Sequence, residues 1–477
     1  MFIQDPDVVI FSSSRLIKSL GPYRLATDVR NMGLECQVVD YVPYWEFDEL
    51  TDVVNKIVGP NTKVVGLSLT FINLSSEDTL RQYVVKNSKK YTTEETFKKF
   101  AHIINVSKQI NPNVKIVTGG AFQMQHPDID VVFKGFSDVS FTNYLKDLNT
   151  QLPTKPFVIN GDVVNEHFEF CNSQTIYHES DNIVRNETLM LEVSRGCIFK
   201  CKFCSYPLLG KNKNDYIKTK NVLYEEFVKN YNKYGTTSYI ISDDTHNDNI
   251  VKLEMMADIA QRLPFKLEYF TYLRLDLLKA HPEQYSFLKD SGLKGAFFGI
   301  ESLNYESAKA IGKGIRPEKA IEELHKFKEL LPHVRTTGAF IIGLPFETKE
   351  SIYKWTNVIS QKGFPLDSCN YSTLSIMRNP DFKFYKSEFE LNSEKYYTWK
   401  DNTTWDNGSF DRQWALDNAS TLSYWASLNK SNVGGFTYPY LTTLGYKEAD
   451  MSQGIIPLTD RHDRLEEFIK QYKSTFI

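Results

Sequence analysis

At 477 residues, with 41% hydrophobic and 24% charged residues, the chain is too long for one ordinary core and reads as two or three globular domains. A formal net charge of -3 gives no global electrostatic case for a nucleic-acid partner, and no apolar run approaches the roughly 20 residues needed to span a bilayer. The start MFIQDPDVVIF lacks the basic leader and cleavage site of a secretory signal, so a cytoplasmic location and no membrane partner are expected.

Over residues 1–150 short apolar runs alternate with amphipathic stretches. VVIF at 8–11 reads as a buried strand, and YRLATDVRNMG as a helix with Leu25, Val29 and Met32 on one face, ended by Gly33. CQVVDYV, VVGLSLT at 64–70, VKIVTGG at 114–120 and VVFKG at 131–135 read as four further strands, and 94–110 as a helix carrying Phe97, Phe100, Ala101 and Ile104. This alternation predicts an α/β domain built on a doubly wound, Rossmann-like parallel sheet. Ligands of such sheets sit beyond the carboxyl ends of the strands, where Ser12, Ser13, Ser14, Ser68, Thr70, Gly119 and Gly120 fall. His126, after the fourth strand, either approaches such a ligand or satisfies its own loop.

Residues 151–186 are polar and predict a connection with one short hairpin. From 187 to 379 six strands alternate with helices: 188–194, 238–242, 266–273, 295–300, 336–343 and 369–376. Six units predict an open, partial (β/α)6 TIM barrel, whose catalytic groups come from the carboxyl ends of its strands. Residues 380–477 are rich in Tyr and Trp, with helical periodicity at 411–428 and 459–474, and predict a small, mostly helical cap on the barrel. The segments 45–60 and 73–95 are further candidates to shape a pocket.

Six cysteines in so long a chain do not make a disulfide framework. Three of them, Cys197, Cys201 and Cys204, fall within eight residues in a loop after a predicted strand, as metal ligands would. Cys36, Cys171 and Cys369 are scattered and suit buried apolar positions. Thiolates are soft ligands for zinc or an iron–sulfur cluster. Zinc would want a fourth Cys or His at short spacing, and none lies within thirty residues downstream of Cys204. Three thiolates on a four-iron cluster leave one iron free for a chelating substrate.

The CxxxCxxC run, with Phe203 before the last cysteine, resembles the signature of the radical S-adenosylmethionine (SAM) superfamily. Later segments extend the resemblance: Ser242-Asp-Asp-Thr-His246, Arg274 in YLRLD, Gly299-Ile-Glu-Ser302 followed by Lys313-Gly314, and the run from Gly338 through Gly343 to Thr348. It implies that the three cysteines hold a [4Fe–4S] cluster that cleaves SAM reductively. It also implies that Ser242, Asp243 or Asp244 receives the methionyl amine, that Arg274 meets the carboxylate or ribose, and that Phe203, Glu301, Ser302 and Gly343 border the rest of SAM. Glycines at 299, 314 and 343 would allow backbone to approach the nucleoside.

An N-terminal doubly wound domain ahead of such a core is similar to the cobalamin-binding domains of radical SAM methyltransferases. GPYRLATDVRNMGLECQVVDY, GLSLT and VTGGA…HPDIDVVFKG carry that likeness, although there is no DxHxxG and the acidic turn is reduced to Gly135-Phe-Ser-Asp138. It implies cobalamin against Ser12, Ser13, Ser68, Thr70, Gly119, Gly120 and His126, and methyl transfer to an unactivated carbon of a small molecule or peptide. An electron donor such as flavodoxin or ferredoxin is implied as partner. Cys369 and Tyr371, in the sixth barrel strand, are candidates for a substrate-side hydrogen donor, with Tyr272 as a third. Two alternatives stay open: a radical SAM rearrangement, oxidation or methylthio transfer without cobalamin, and a non-catalytic iron–sulfur sensing module.

Overall fold

The computed structural model describes residues 1–15, 17–70, 92–148, 155–161, 168–206, 214–378 and 386–477. Two parallel six-stranded sheets organise it. The first runs β2-β1-β3-β4-β5-β6, with β1 at Val8–Ser12, β2 at Cys36–Val39, β3 at Val64–Ser68, β4 at Lys115–Gly119, β5 at Ile129–Lys134 and β6 at Phe157–Asn160. Its strands are apolar at successive positions because both faces are covered. Val8 and Ile10 pack on the helices Leu20–Asn31 and Asp138–Lys146, while Val9 and Phe11 pack on Phe47–Ile57 and Thr93–Ile110. The sheet is thus doubly wound, as expected.

One expectation for this region changes. Residues 157–160, read as part of a connection with a hairpin, add β6 to the sheet in parallel with β5. Most of the candidate segment 73–95 lies outside the described residues.

The second sheet follows chain order, β7 to β12: Leu189–Leu191, Ser238–Ile241, Glu268–Leu273, Leu293–Glu301, Arg335–Ile342 and Ser368–Thr373. Every neighbouring pair is parallel, and helices alternate with the strands, as the partial barrel requires. The segment 433–446 packs across its lower end. There Phe436 and Tyr440 join Phe270, Tyr272 and Phe297 in an aromatic cluster.

The tail is helical as expected, at Arg412–Ser427 and Leu458–Lys473, with one small hairpin of β13 (Thr398–Trp399) and β14 (Trp405–Asp406). It is more than a cap on the barrel. Leu465, Phe468, Ile469, Tyr472 and Phe476 enter the core of the N-terminal sheet beside Tyr41 and Trp45. Between the two sheets, Lys18 and Glu187 form a fully buried ion pair, with Lys18 Nζ over the rings of Tyr41 and Tyr472. Among the described residues, no helix is long and apolar enough to cross a membrane.

Candidate functional site

β7 ends at Leu191, and the chain enters the cysteine loop. Its base is fixed by Asp243 at the end of β8, whose Oδ1 accepts the N–H groups of Val193 at 2.9 Å and Ser194 at 2.8 Å. Burial alone would raise this carboxyl, but Lys252, His246 and the Ser194 N–H hold it down at about 2. Lys252, wholly buried, also donates to Ser194 Oγ at 2.9 Å and the Thr245 carbonyl at 2.7 Å. Asp243, a candidate for the methionyl amine, therefore spends its charge on anchoring the loop. Arg195 ties the loop to the N-terminal sheet, pairing with Glu192 through two nitrogens and with Asp138 through the third. This is the acid of the Gly135–Asp138 turn.

Cys197 is buried, and Cys201 and Cys204 are half-buried. Each of the first two sulfurs has a polar neighbour. Thr245 Oγ1 lies 3.5 Å from Cys197 Sγ, which also accepts the Phe199 N–H, and Arg274 Nη1 donates to Cys201 Sγ at 3.3 Å. Burial raises the Cys197 thiol and pushes Cys204 up to about 12.

A single tetrahedral zinc would draw its sulfurs to about 3.8 Å of one another. Among the described residues, the one group of three His, Cys, Asp or Glu side chains with all ligand atoms within 4.8 Å is His462, Asp463 and Glu466, on the outer side of the helix Leu458–Lys473. Three soft thiols in one loop are the donor set of an iron–sulfur cluster. Donors to the sulfurs are what such a cluster needs around it. Phe203, between them in sequence, packs against the barrel core.

Beside this loop the barrel opens. Along β9 to β12 the residues on the inner face of the carboxyl halves are half-buried or exposed: Tyr272, Phe297, Gly299, Ala339, Ile341, Asn370 and Ser372. Their sequence neighbours on the outer face are buried under helices. Asp244 is half-buried here, and burial together with the adjacent Asp243 raises its carboxyl to about 7. Among its described neighbours, Lys252 lowers this carboxyl, while Glu192 and Asp248 add to the upward push. Ser242 turns its hydroxyl back to the Leu191 carbonyl at 3.3 Å.

The other expected SAM-side residues are engaged with protein. Arg274 pairs with both oxygens of Asp276 and lies 3.9 Å over the Phe199 ring. Glu301 sits at φ +66° on an irregularity of β10 and pairs with Lys313 at 2.7 Å. Ser302 Oγ donates to Glu347 at 2.7 Å, and the same carboxylate accepts the Gly343 N–H at 3.2 Å. Gly343 has φ +107°, and a Cβ there would stand 2.1 Å from the Trp405 ring. Its lack of a side chain makes room for that indole, not for a nucleoside.

Cys369 and Tyr371 lie on the outer face of β12. Thr356 Oγ1, from the helix Lys349–Ser360, donates to Tyr371 Oη at 2.9 Å, and Cys369 is 1% exposed in the same layer. The inner face at this strand belongs to Asn370 and Ser372. The expectation that Cys369 faces the barrel interior is thereby corrected: strand alternation turns it away.

In the N-terminal sheet, Ser12 and Ser13 are buried. Ser12 Oγ lies within hydrogen-bond reach of Ser14 and Ser19, and Ser13 Oγ donates to the Ser68 carbonyl. Their hydroxyls brace the turn after β1 and do not reach out for a ligand. Ser68 and Gly119 are half-buried and Thr70 and Gly120 exposed at the tips of β3 and β4. A Cβ on Gly120, at φ +110°, would meet the Thr70 nitrogen at 2.6 Å. This low, small-residue edge fits the approach of a flat macrocycle. His126 Nδ1 accepts the Asp128 N–H at 3.2 Å, satisfying its own turn.

Sequence reasoning passed over Lys252, Arg195, Thr245 and Asp276. Arg195 lies two residues before the cysteine run, Thr245 stands inside the Ser242–His246 segment, and Asp276 stands two residues after Arg274. Lys252 gave no signal, since a lysine on an amphipathic helix reads as solvent-facing.

The model of the Radical SAM superfamily matches residues 191–358. An uncharacterized methyltransferase of Pyrococcus horikoshii is 27% identical over 275 residues, 52% of this chain and 58% of that protein. A tRNA-2-methylthio-N(6)-dimethylallyladenosine synthase of Bdellovibrio bacteriovorus is 21% identical over 54% of this chain and 57% of its own length. The matches thus span less than two thirds of these curated relatives. Among solved structures, the radical SAM methyltransferase TsrM from Kitasatospora setae, with cobalamin and a [4Fe–4S] cluster bound, is similar at TM-score 0.63 and 12% identity, over 98% of this chain and 99% of that one. OxsB, a cobalamin-dependent SAM radical enzyme with aqua-cobalamin and SAM bound, is similar at TM-score 0.50 and 14% identity, over 96% of this chain and 61% of that one. At these identities the likeness establishes the fold.

Proposed function

We propose that this chain, whose residues 191–358 form a radical SAM domain, is a cobalamin-dependent methyltransferase acting on a small molecule or peptide. Cys197, Cys201 and Cys204 would hold the [4Fe–4S] cluster, and the edge formed by Ser68, Thr70, Gly119 and Gly120 would border the corrin. When bound, the cluster supplies an electron and an open iron for SAM, and cobalamin supplies a transferable methyl group.

The protein's part is positioning. Asp243, through Val193 and Ser194, fixes where the loop leaves the sheet. Asp244 offers a carboxylate to the methionyl ammonium, while Phe203, Ser242, Glu301, Ser302 and Gly343 shape the walls behind it. Arg195 holds the loop against the N-terminal sheet through Asp138. Tyr272, Phe297, Ala339 and Ile341, with Asn370 and Ser372, would offer a substrate a mainly apolar surface with a few hydrogen-bonding groups, the character of a small-molecule site. An external one-electron donor such as flavodoxin or ferredoxin completes the partner set.

The observation that carries the reading is the trio of thiols at the carboxyl mouth of a parallel six-stranded barrel, with a hydroxyl and an amide at the Cys197 sulfur and a guanidinium at the Cys201 sulfur. Methylthio transfer, named among the curated relatives, is less well supported. The remaining cysteines lie in β2, in the turn Phe170–Asn172 and in β12, so they make no second trio for another cluster.

Anaerobic reconstitution with iron, sulfide and cobalamin tests the proposal. The protein should retain a four-iron cluster by Mössbauer spectroscopy and a corrin spectrum after desalting, and consume SAM with a reductant. Each Cys→Ala variant should lose the cluster. Corrin washed away with the cluster intact would sink the methyltransferase reading; absence of any cluster would sink the radical SAM reading.

A further inference from the structure

We infer that Arg274 is a positioning residue for the cluster, setting its reduction potential through Cys201, and that it does not bind the carboxylate of SAM. The inference rests on the proposed [4Fe–4S] cluster. Each nitrogen of the guanidinium already makes one bond within the protein. Nε donates to Asp276 Oδ1 at 3.0 Å, Nη2 to Asp276 Oδ2 at 2.6 Å and Nη1 to Cys201 Sγ at 3.3 Å. Its plane is covered by Phe199 at 3.9 Å, and the residue is 6% exposed. Its backbone is fixed as well: Arg274 N donates to Asn247 Oδ1, and Asn247 Nδ2 donates to the Arg274 carbonyl. Asn247 is in turn held by Gln284 at 3.0 Å.

A planar fork clamped at two nitrogens leaves its third edge aimed in one direction. That direction is a cluster sulfur. A carboxylate of SAM could take the Nε/Nη2 edge only by displacing Asp276, and on the Nη1/Nη2 edge it would compete with Cys201 for Nη1.

A positive donor at a ligating sulfur favours the more negative, reduced state, so it raises the potential of the couple. The step concerned is uptake of one electron by the oxidised cluster from a low-potential one-electron reductant. No bond forms or breaks at the arginine, and the guanidinium keeps its proton. Asp276 has a defined share: it neutralises part of the charge and sets the angle of the fork.

The test uses the full-length reconstituted holoprotein without SAM. The midpoint potential is measured by EPR-monitored redox titration in the wild type, Arg274→Lys, Arg274→Gln and Asp276→Asn. The Gln variant should show about a tenfold less favourable reduction equilibrium, a fall of about 59 mV for a one-electron couple. Arg274→Lys should restore part of that fall, and SAM affinity by calorimetry should stay within about threefold throughout. A wild-type potential in Arg274→Gln would overturn the inference, whatever happens to SAM binding. If Arg274→Gln fails to keep a cluster, Asp276→Asn decides: a shifted potential supports the assignment and an unshifted one overturns it. A wild type that holds no four-iron cluster would instead overturn the functional reading beneath it.

Discussion

Lys18 and Glu187, 169 positions apart, pair at 3.1 Å with both side chains fully excluded from solvent. One comes from the turn after β1, the other from the entry to β7, so the contact joins the two sheets. Tyr41 Oη and the Val184 N–H complete the shell of the carboxylate. Removing one partner leaves an uncompensated buried charge. Lys18→Met should cost about 3–5 kcal/mol. The double variant Lys18→Met/Glu187→Gln should recover most of that loss. Urea unfolding of the three proteins checks it, and a double variant no more stable than the single one would contradict the charge argument.

Glu347 supplies a pH dependence. Burial lifts its carboxyl from 4.5 to about 7, against hydrogen bonds from Ser302, Gly343 and Leu344 that pull the other way. The native state therefore keeps a proton that the unfolded chain releases. The contribution is fully present below pH 4.5 and lost as pH rises through 7. The wild type should lose up to about 3 kcal/mol across that window from this group. Asp244 and Asp40 move in the same direction, so the difference between wild type and Glu347→Gln isolates the effect. The variant should show a shallower fall of stability with pH; parallel curves would exclude Glu347 as a source.

Gly343→Ala should destabilise by about 2–4 kcal/mol, since it combines a left-handed backbone with a clash against a wholly buried indole. Trp405→Phe in the same chain should relieve part of that cost. Thermal unfolding reads both. A neutral Gly343→Ala would mean that Trp405 moves freely, contrary to its bond from Nε1 to the Leu374 carbonyl.

Cys369→Ala and Tyr371→Phe should leave SAM turnover within about twofold while lowering stability by about 1–3 kcal/mol, because both side chains are packed behind the barrel wall. Asn370→Ala and Ser372→Ala, on the inner face, should alter product formation with less effect on stability. Steady-state kinetics beside denaturant unfolding separates the two pairs. Loss of turnover on the outer pair alone would reverse the assignment of faces.

Strand positions and the cysteine loop were legible because they rest on local chemistry: apolar runs of strand length, and thiols at ligand spacing. What was not legible depends on partners far along the chain. In CNYSTLSI, Cys369 and Tyr371 alternate with Asn370 and Ser372, and alternation alone does not say which set lines the barrel; the structure packs Cys369 and Tyr371 under helices, opposite to the expectation for Cys369. The serines after β1 looked ligand-facing until Ser12, Ser14 and Ser19 were found to satisfy one another. Asp243 and Arg274 are expected at SAM from the motifs, and the partners the structure gives them are Val193, Ser194, Asp276 and Cys201. A charged residue at a strand end announces importance; which group it serves is decided by packing.

The helix Leu458–Lys473 completes the hydrophobic interior of the first sheet, and Tyr472 Oη bonds the Asp40 nitrogen across 432 positions. On the ribosome, the opening strands would emerge long before the segment that covers them. The first domain would have to wait, partly bare, while the entire barrel is translated. Closure of that first sheet is then a late event, because a segment made after the barrel seals strands made before it.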